Sequence, residues 1–332
     1  MAGNMVVGKW QDALKLIEKY DSIIIFHHVR PDGDCLGSQF GLRQLIRENY
    51  PNKKVYAIGN NDHTLDFMEF DFDAIPDDKI IAKSLGVVVD ANHKERIYNR
   101  EVLDKNLFLE TLRIDHHPND DDLDKCTRWV ESARIAGAEM IAELAYQAKW
   151  KVSPKAAAFV FLGIVTDSGR FQFSDVSYRT HELAAFLYKN GLNAEKIFNG
   201  LAQTSLDDIK VTNTIFANLK TVGKVAYSTL TYKETLELGK KPNEVCRPNI
   251  IGNLKGYPFW VFFNEEESGK IRVEYRSIGP CVRNVAVKWG GGGHERASGS
   301  IISSFNDVVN VIKDCNNEVD RWEKYGNDDQ VK

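Results

Sequence analysis

Runs of consecutive apolar residues that stop at a carboxylate or an imidazole recur in this chain, and they restrict what it can fold into. Ser22-Ile23-Ile24-Ile25-Phe26 leads to His28, Gly86-Val87-Val88-Val89 to Asp90, and Leu112-Arg113-Ile114 to Asp115-His116-His117. Each reads as a buried strand ending in potential ligands. Gly163-Ile164-Val165-Thr166 precedes Asp167 in the same way, although that run also fits a helix. In an open parallel sheet, ligands bind at the carboxyl ends of the strands, so segments far apart in sequence deliver side chains to one crevice. One site could therefore collect His28, Asp32, Asp34, Asp90, Asp115, His116, His117 and Asp167.

Helical periods alternate with these runs. Leu36 to Tyr50 has helical spacing, Lys54 to Ile58 reads as a strand, and Ala138 to Trp150 is a helix with Met140, Ile141, Leu144 and Ala145 on its apolar face. The pattern is α/β with a mostly parallel sheet. A length of 332 residues exceeds one compact core and suits two domains. From Asn193 to Leu219 the sequence turns helical and more polar, with Ser205-Leu206-Asp207-Asp208 as a helix start. Beyond it, Lys224 to Leu230 reads as a strand, and Phe259 to Phe263 and Lys270 to Tyr275 as a hairpin closed by Glu265 to Gly269. The expected division is a larger domain over 1–192, a helical linker over 193–222, a smaller α/β domain over 223–326 and a tail over 327–332, with a cleft between the domains.

Charge and composition exclude several classes. The formal net charge is −4 and no block of five Lys or Arg occurs, which argues against a long nucleic-acid track and favours a short substrate. The segment Met1 to Tyr20 shows Trp10, Leu14, Ile17 and Tyr20 at helical spacing rather than a basic stretch followed by an apolar one, so no secretion signal is expected. The longest apolar stretch, Ala156 to Val165, falls short of the roughly 18 residues a membrane helix needs. Cys35, Cys126, Cys246, Cys281 and Cys315 are odd in number and lack a C-x-x-C, which points to a reducing cytoplasm and a soluble protein. Oligomeric state is left open, a homodimer included.

Carboxylates mixed with imidazoles suit Mn²⁺, with Mg²⁺ or Fe²⁺ as alternatives, because hard cations prefer oxygen and nitrogen donors. Asp32 and Asp34 flank Gly33 and can serve two ions, and a shared carboxylate would complete a pair that activates water and neutralises a phosphate transition state. Further phosphate oxygens would then need donors such as His117, Arg170 or a glycine segment. Taken singly, an Asp at a strand end is more often a turn former or a helix cap. Asn119-Asp120-Asp121-Asp122 reads as a solvated loop, and Cys35 as a small apolar residue at a helix start. Gly290 to Gly299 contains Gly291, Gly292, Gly293 and His294, a candidate phosphate cradle, with Arg276-Ser277 suited to the same group.

These segments together resemble the DHH phosphoesterase superfamily, in the DHH–DHHA1 branch that includes the bacterial nanoRNases. The resemblance rests on His28 to Ser38, Val87 to Asn92, Asp115 to Asn119 and Gly163 to Phe171, with Arg276-Ser277 and the glycine segment matching the associated C-terminal domain. It implies one ion held by His28, Asp32 and Asp90, a second by Asp34, His116 and Asp167, and Asp90 shared. It further implies His117 on the scissile phosphate, Asp115 orienting the histidines, and Arg276 and His294 on a substrate end. Cys35 stands where the family commonly has alanine, and the usual tyrosine-glycine pair after Asp122 is missing. The implied activity is metal-dependent hydrolysis of short single-stranded oligoribonucleotides to mononucleotides, with removal of the 3′-phosphate from adenosine 3′,5′-bisphosphate. Alternatives are a linear or cyclic dinucleotide phosphodiesterase and a nucleotide-binding regulator without turnover.

Overall fold

The computed structural model describes residues 6–117 and 120–326, and the chain divides into two compact units, Met1–Gln203 and Thr204–Lys332. Pro118 and Asn119 of the third motif and the expected tail over 327–332 lie outside the described residues.

The first unit runs β1 (Val6–Val7), α1 (Trp10–Lys19), β2 (Ser22–Phe26), α2 (Gly33–Asn49), β3 (Lys54–Ala57), the short α3 (Asp78–Ile81), β4 (Leu85–Val89), the short α4 (Arg100–Asp104), β5 (Thr111–Asp115) and β6 (Cys126–Glu131). Then come α5 (Gly137–Gln147), α6 (Pro154–Asp167), α7 (Tyr178–Lys189) and α8 (Ala194–Ala202). The sheet order is β1-β6-β5-β4-β2-β3, parallel throughout except for the two-residue edge strand β1. Both faces of the central strands are covered, which explains the unbroken apolar runs. Ile23, Ile25, Val87 and Val89 face a core shared with α1, α2, α5 and α6. Ile24, Phe26 and Val88 face a second cluster with Ile81, Val102, Leu103 and Phe108.

Helix α2 begins at Asp32, whose Oδ1 accepts from the amides of Asp34 at 3.0 Å and Cys35 at 3.1 Å. It lies unusually close to α6. A Cβ on Gly37 would sit 2.5 Å from the Phe159 carbonyl oxygen, and one on Gly41 2.6 Å from Val160 Cγ2. Glycines every fourth residue thus let the two backbones approach. The Gly163–Thr166 run forms the last turn of α6, the helical option of the two, and Asp167 ends that helix.

The second unit runs α9 (Leu206–Ala217), β7 (Lys220–Val222), β8 (Val225–Leu230), α10 (Tyr232–Glu237), α11 (Pro242–Val245), β9 (Phe259–Glu265), β10 (Ile271–Ser277), α12 (Val282–Lys288), β11 (Gly292–Gly293), β12 (Ala297–Ile302) and α13 (Val308–Tyr325). Its sheet order is β11-β12-β10-β9-β8-β7, antiparallel except for β8 with β9. The helical stretch expected as a linker divides between the units. Ala194 and Ile197 of α8 bury in the first core, whereas Val211 and Ile215 of α9 pack with Ala226, Leu230 and Phe262 of the second. Its amphipathic halves were too polar on average to read as core, but each buries one face. Ser205 caps α9 with Asp208 as its reciprocal partner.

Candidate metal centre

Strand ends and two helix termini deliver the first unit's acidic and imidazole side chains to one place. His28 follows β2 and is pinned by an isolated bridge to Ile97. Asp90 follows β4 with φ of 53°, a left-handed conformation that costs a non-glycine residue about 1–3 kcal/mol and persists where the surroundings enforce it. Asp115 ends β5, ahead of His116 and His117, while Asp34 lies in the first turn of α2 and Asp167 in the last of α6. His28 Nε2 is 3.4 Å from both Asp32 Oδ2 and Asp90 Oδ2. His116 Nε2 is 3.4 Å from Asp90 Oδ1, 3.4 Å from Asp167 Oδ2 and 3.7 Å from Asp34 Oδ2. Asp90 therefore faces two donor groups, one through each oxygen.

These contacts need positive charge between them. His28 Nδ1 lies 2.9 Å from the Val29 carbonyl and His116 Nδ1 3.1 Å from the Arg134 carbonyl. A carbonyl only accepts, so each Nδ1 carries the proton and each Nε2 is left to face carboxylate oxygens. Lone pair against lone pair is repulsive unless a second proton or a cation intervenes. The titration behaviour has the same origin. Against the desolvation that would lower it, the close approach of the Asp90 carboxylate and the charges of Asp34 and Asp167 push His116 up to about 10. His117 is raised to about 9, chiefly by Asp115 and then Asp90. His28 is raised too, as the nearby carboxylates of Asp32 and Asp90 outweigh its burial. Burial and then Asp90 lift Asp167 to about 6, and burial with Asp90 and Asp167 holds Asp34 well above the usual carboxylate range.

Asp90 Oδ1 is buried and has no hydrogen-bond partner, which is rare for a carboxylate oxygen unless something else satisfies it. The donors Asp34, His116 and Asp167 converge within 4.8 Å of one another, as do Asp90, Asp115, His116 and His117, and as do His28, Asp32 and Cys35. This set of oxygens and ring nitrogens fits divalent cations. Cys35 is fully buried and its thiol is pushed up to about 12 by burial, so it is no nucleophile.

Asp115 is already committed to the protein. Its Oδ2 accepts from Arg113 Nε at 2.9 Å, and its Oδ1 from the His117 amide at 3.0 Å and His117 Nδ1 at 2.8 Å. Arg113 reaches on to Asp121 at 2.8 Å, and Arg128 pairs with Asp121 at 2.6 Å. The expectation of a solvated loop at Asp120 to Asp122 is thus wrong for Asp121. Its side chain is 1% exposed, and Arg128 and Arg113, against burial, hold it down at about 2. Arg113 lies within the Leu112–Ile114 run, and sequence reading gives it no role of its own. The available signal was its spacing: Arg113 and Asp115 are two apart on a strand, so they share a face with opposite charges.

The remaining candidates are placed less centrally. Arg170 is exposed, and its guanidinium donates to the Leu201 carbonyl at 3.2 Å rather than to the cluster. In the second unit, Arg276 pairs in register with Ala297, Gly293 with Ser298, and the Ser277 amide bonds the Arg296 carbonyl, so Arg276, Ser277, the glycines and His294 share one end of that sheet. The glycine run is a correction to the expected open cradle. Gly292 and Gly293 form β11, and the amides of Gly291 and His294 donate to the Ala286 and Ala297 carbonyls. Glycine is required by packing at Gly291, where a Cβ would meet the Gly299 carbonyl at 2.0 Å. Gly290 and Gly292 have open space over them, and His294 is exposed close by. Arg276 Nη1 donates to the Tyr275 carbonyl at 2.9 Å and to Glu274 at 3.1 Å, and the Ser277 hydroxyl to the Pro280 carbonyl.

Two family models match the chain, the N-terminal domain of the DHH family over residues 22–164 and the DHHA1 domain over 223–324. The chain belongs to the DHH family. A Mycoplasma genitalium protein named bifunctional oligoribonuclease and PAP phosphatase NrnA is 44% identical over 94% of this chain and 98% of its own length. The Bacillus subtilis protein of the same name is 35% identical over 91% and 96%. In fold, the chain is similar to the crystal structure of an exopolyphosphatase-related protein from Bacteroides fragilis, with a TM-score of 0.77, 22% identity, and coverage of 95% of this chain and 96% of that one. The DHH model spans the segments that carry His28, Asp32, Asp34, Asp90, Asp115, His116 and His117, and stops short of Asp167.

Proposed function

We propose that this DHH-family chain is a phosphoester hydrolase that cleaves short oligoribonucleotides to mononucleotides and also dephosphorylates adenosine 3′,5′-bisphosphate. The observation that carries the reading is Asp90, whose two oxygens face separate donor groups while its Oδ1 has no partner. In this reading His28, Asp32 and Asp90 hold one divalent ion, and Asp34, His116, Asp167 and Asp90 hold another, Mn²⁺ in the first instance. When bound, the ions supply water activation and charge neutralisation at the phosphate. His117, fixed by Asp115, donates to the scissile phosphate, with its side chain 32% exposed and accessible to a ligand. Arg170 in the first unit, and Arg276, Ser277, Gly292, Gly293 and His294 in the second, are the residues we assign to phosphate and nucleotide-end recognition.

The names of the relatives from M. genitalium and B. subtilis support both activities, at coverage of nearly the whole chain. Five cysteines without a disulfide fit a reducing compartment, and among the described residues no helix is long and apolar enough to cross a membrane. The test is a panel of dinucleotides, longer RNA, the bisphosphate, cyclic dinucleotides and pyrophosphate, each with Mn²⁺. Mononucleotide release from dinucleotides and phosphate release from the bisphosphate are expected. A preference for cyclic dinucleotides, or no turnover of any substrate, would overturn the reading.

A further inference from the structure

We infer that Glu139 is a positioning residue for one metal position, acting through the turn at residues 134–138 on two of its ligands at once. The inference rests on the two-ion reading proposed above. Glu139 is 1% exposed although it sits on a helix between apolar residues. A charge so buried needs compensation, and two of its three partners, Arg134 and Ile135, belong to the segment that bonds the metal ligands. Its Oε2 accepts from the Ile135 amide at 2.9 Å, and its Oε1 lies 3.4 Å from Arg134 Nη1 and 3.3 Å from the Thr180 hydroxyl. Glu139 thereby fixes the path of the backbone as it enters α5.

That backbone does two things. The Arg134 carbonyl accepts from His116 Nδ1 at 3.1 Å and so selects the tautomer that leaves Nε2 facing Asp34, Asp90 and Asp167. Three and four residues on, the amides of Gly137 and Ala138 donate to the two oxygens of Asp34 at 2.6 Å and 2.8 Å. Those bonds, together with the Ser38 hydroxyl that donates to Oδ1 at 3.3 Å, orient a buried carboxylate. His116 and Asp34 belong to the same donor group, with Asp167. His28 and Asp32 of the other group have no contact with this turn: His28 bonds the Val29 carbonyl and Asp32 caps α2. Disturbing Glu139 should therefore weaken one position and spare the other. Partners that orient metal ligands typically contribute about 10- to 100-fold to affinity.

The test is Mn²⁺ binding to the full chain by calorimetry with electron paramagnetic resonance, beside the histidine ring ¹⁵N spectrum of the metal-free protein. In Glu139→Gln, one Mn²⁺ should bind as in the parent and the other about 10- to 100-fold more weakly. His116 should lose its pure Nδ1–H signature. Glu143→Gln is the control. Glu143 also contacts Arg134, at 3.3 Å, and pairs with Arg179, but it does not touch the Ile135 amide, so both Mn²⁺ affinities should stay at parent values. Should Glu139→Gln fail to fold, Thr180→Val removes one of the supports of Oε1, and a loss of affinity at the same position alone, smaller than the roughly 10- to 100-fold of a direct partner, is expected. Parent-like binding at both positions in a folded Glu139→Gln would overturn the inference. Equal weakening at both positions would do the same, since that is the mark of a general loss of structure. If the parent chain bound no Mn²⁺ pair, the two-ion reading would fall first and this inference with it.

Discussion

At the scale of single residues, the centre is an excess of negative charge held in place by histidines. Asp90 is kept well below the usual carboxylate range by His116, His117 and His28 in spite of its burial, so it stays ionised and available from both sides. Asp90→Ala should reduce kcat/KM for dinucleotides by more than the roughly 100-fold upper end seen for residues that merely orient a ligand. Assay under saturating Mn²⁺ checks it, and near-parent turnover would end the assignment. The raised histidines give a second expectation, in the metal-free chain. His117 at about 9 and His116 at about 10 lie above their unfolded value near 6.5, so the stability they contribute is complete below pH 6.5 and is lost as pH rises through 9 to 10. With chelator present, Tm should fall between pH 8 and 10.5; Mn²⁺ should flatten that fall, because the cation replaces the protons. Scanning calorimetry at both ends of the window measures it.

Secondary-structure elements decide how near these residues come. Gly37 of α2 lies so close to α6 that a Cβ would be 2.5 Å from the Phe159 carbonyl, and a backbone atom cannot swing aside. Gly37→Ala should cost about 1–3 kcal/mol in unfolding free energy and lower metal affinity, since it separates Asp34 on α2 from Asp167 on α6. Chemical denaturation together with Mn²⁺ titration tests both halves. Sequence exposed this level unevenly. The strands β2 and β4 were legible because burial on both faces leaves a run with no alternation, β5 because Leu112 and Ile114 lead into Asp115, and the hairpin of β9 and β10 because its loop is polar and holds Gly269. The candidate ligands His28, Asp90 and Asp115 to His117 were legible because they follow such runs, and Asp32 and Asp34 because they flank Gly33 in the same segment as His28. Charged residues inside the fold were not. Arg113, Asp121, Glu139 and Arg134 look like surface residues until tertiary partners are known, and the glycine run looks like an open loop until β12 pairs with it.

For the whole molecule, the composition limits what kind of substrate is bound strongly. A net charge of −4 with no extended run of basic residues means that additional phosphates contribute little counterion release. By the resemblance to the nanoRNases, specific activity should be highest for about two to five nucleotides, and the charge adds that it should fall clearly for strands of about twenty, with a shallow salt dependence. A length series of single-stranded RNA at two salt concentrations gives kcat/KM for each, and equal or rising efficiency on the long strands would favour a processive exonuclease. The two units also carry separate cores, one around β2, β4 and β5 and one around β9 and β10, so damage to one does not by itself remove the apolar packing of the other.

The amides of Gly137 and Ala138 donate to the buried carboxylate of Asp34, so they are shielded for as long as that carboxylate keeps its place. They act as a clock on the site. Exchange of those hydrogens with deuterated solvent can occur only when α5 draws away from α2, and its rate counts how often the centre opens in the absence of any substrate.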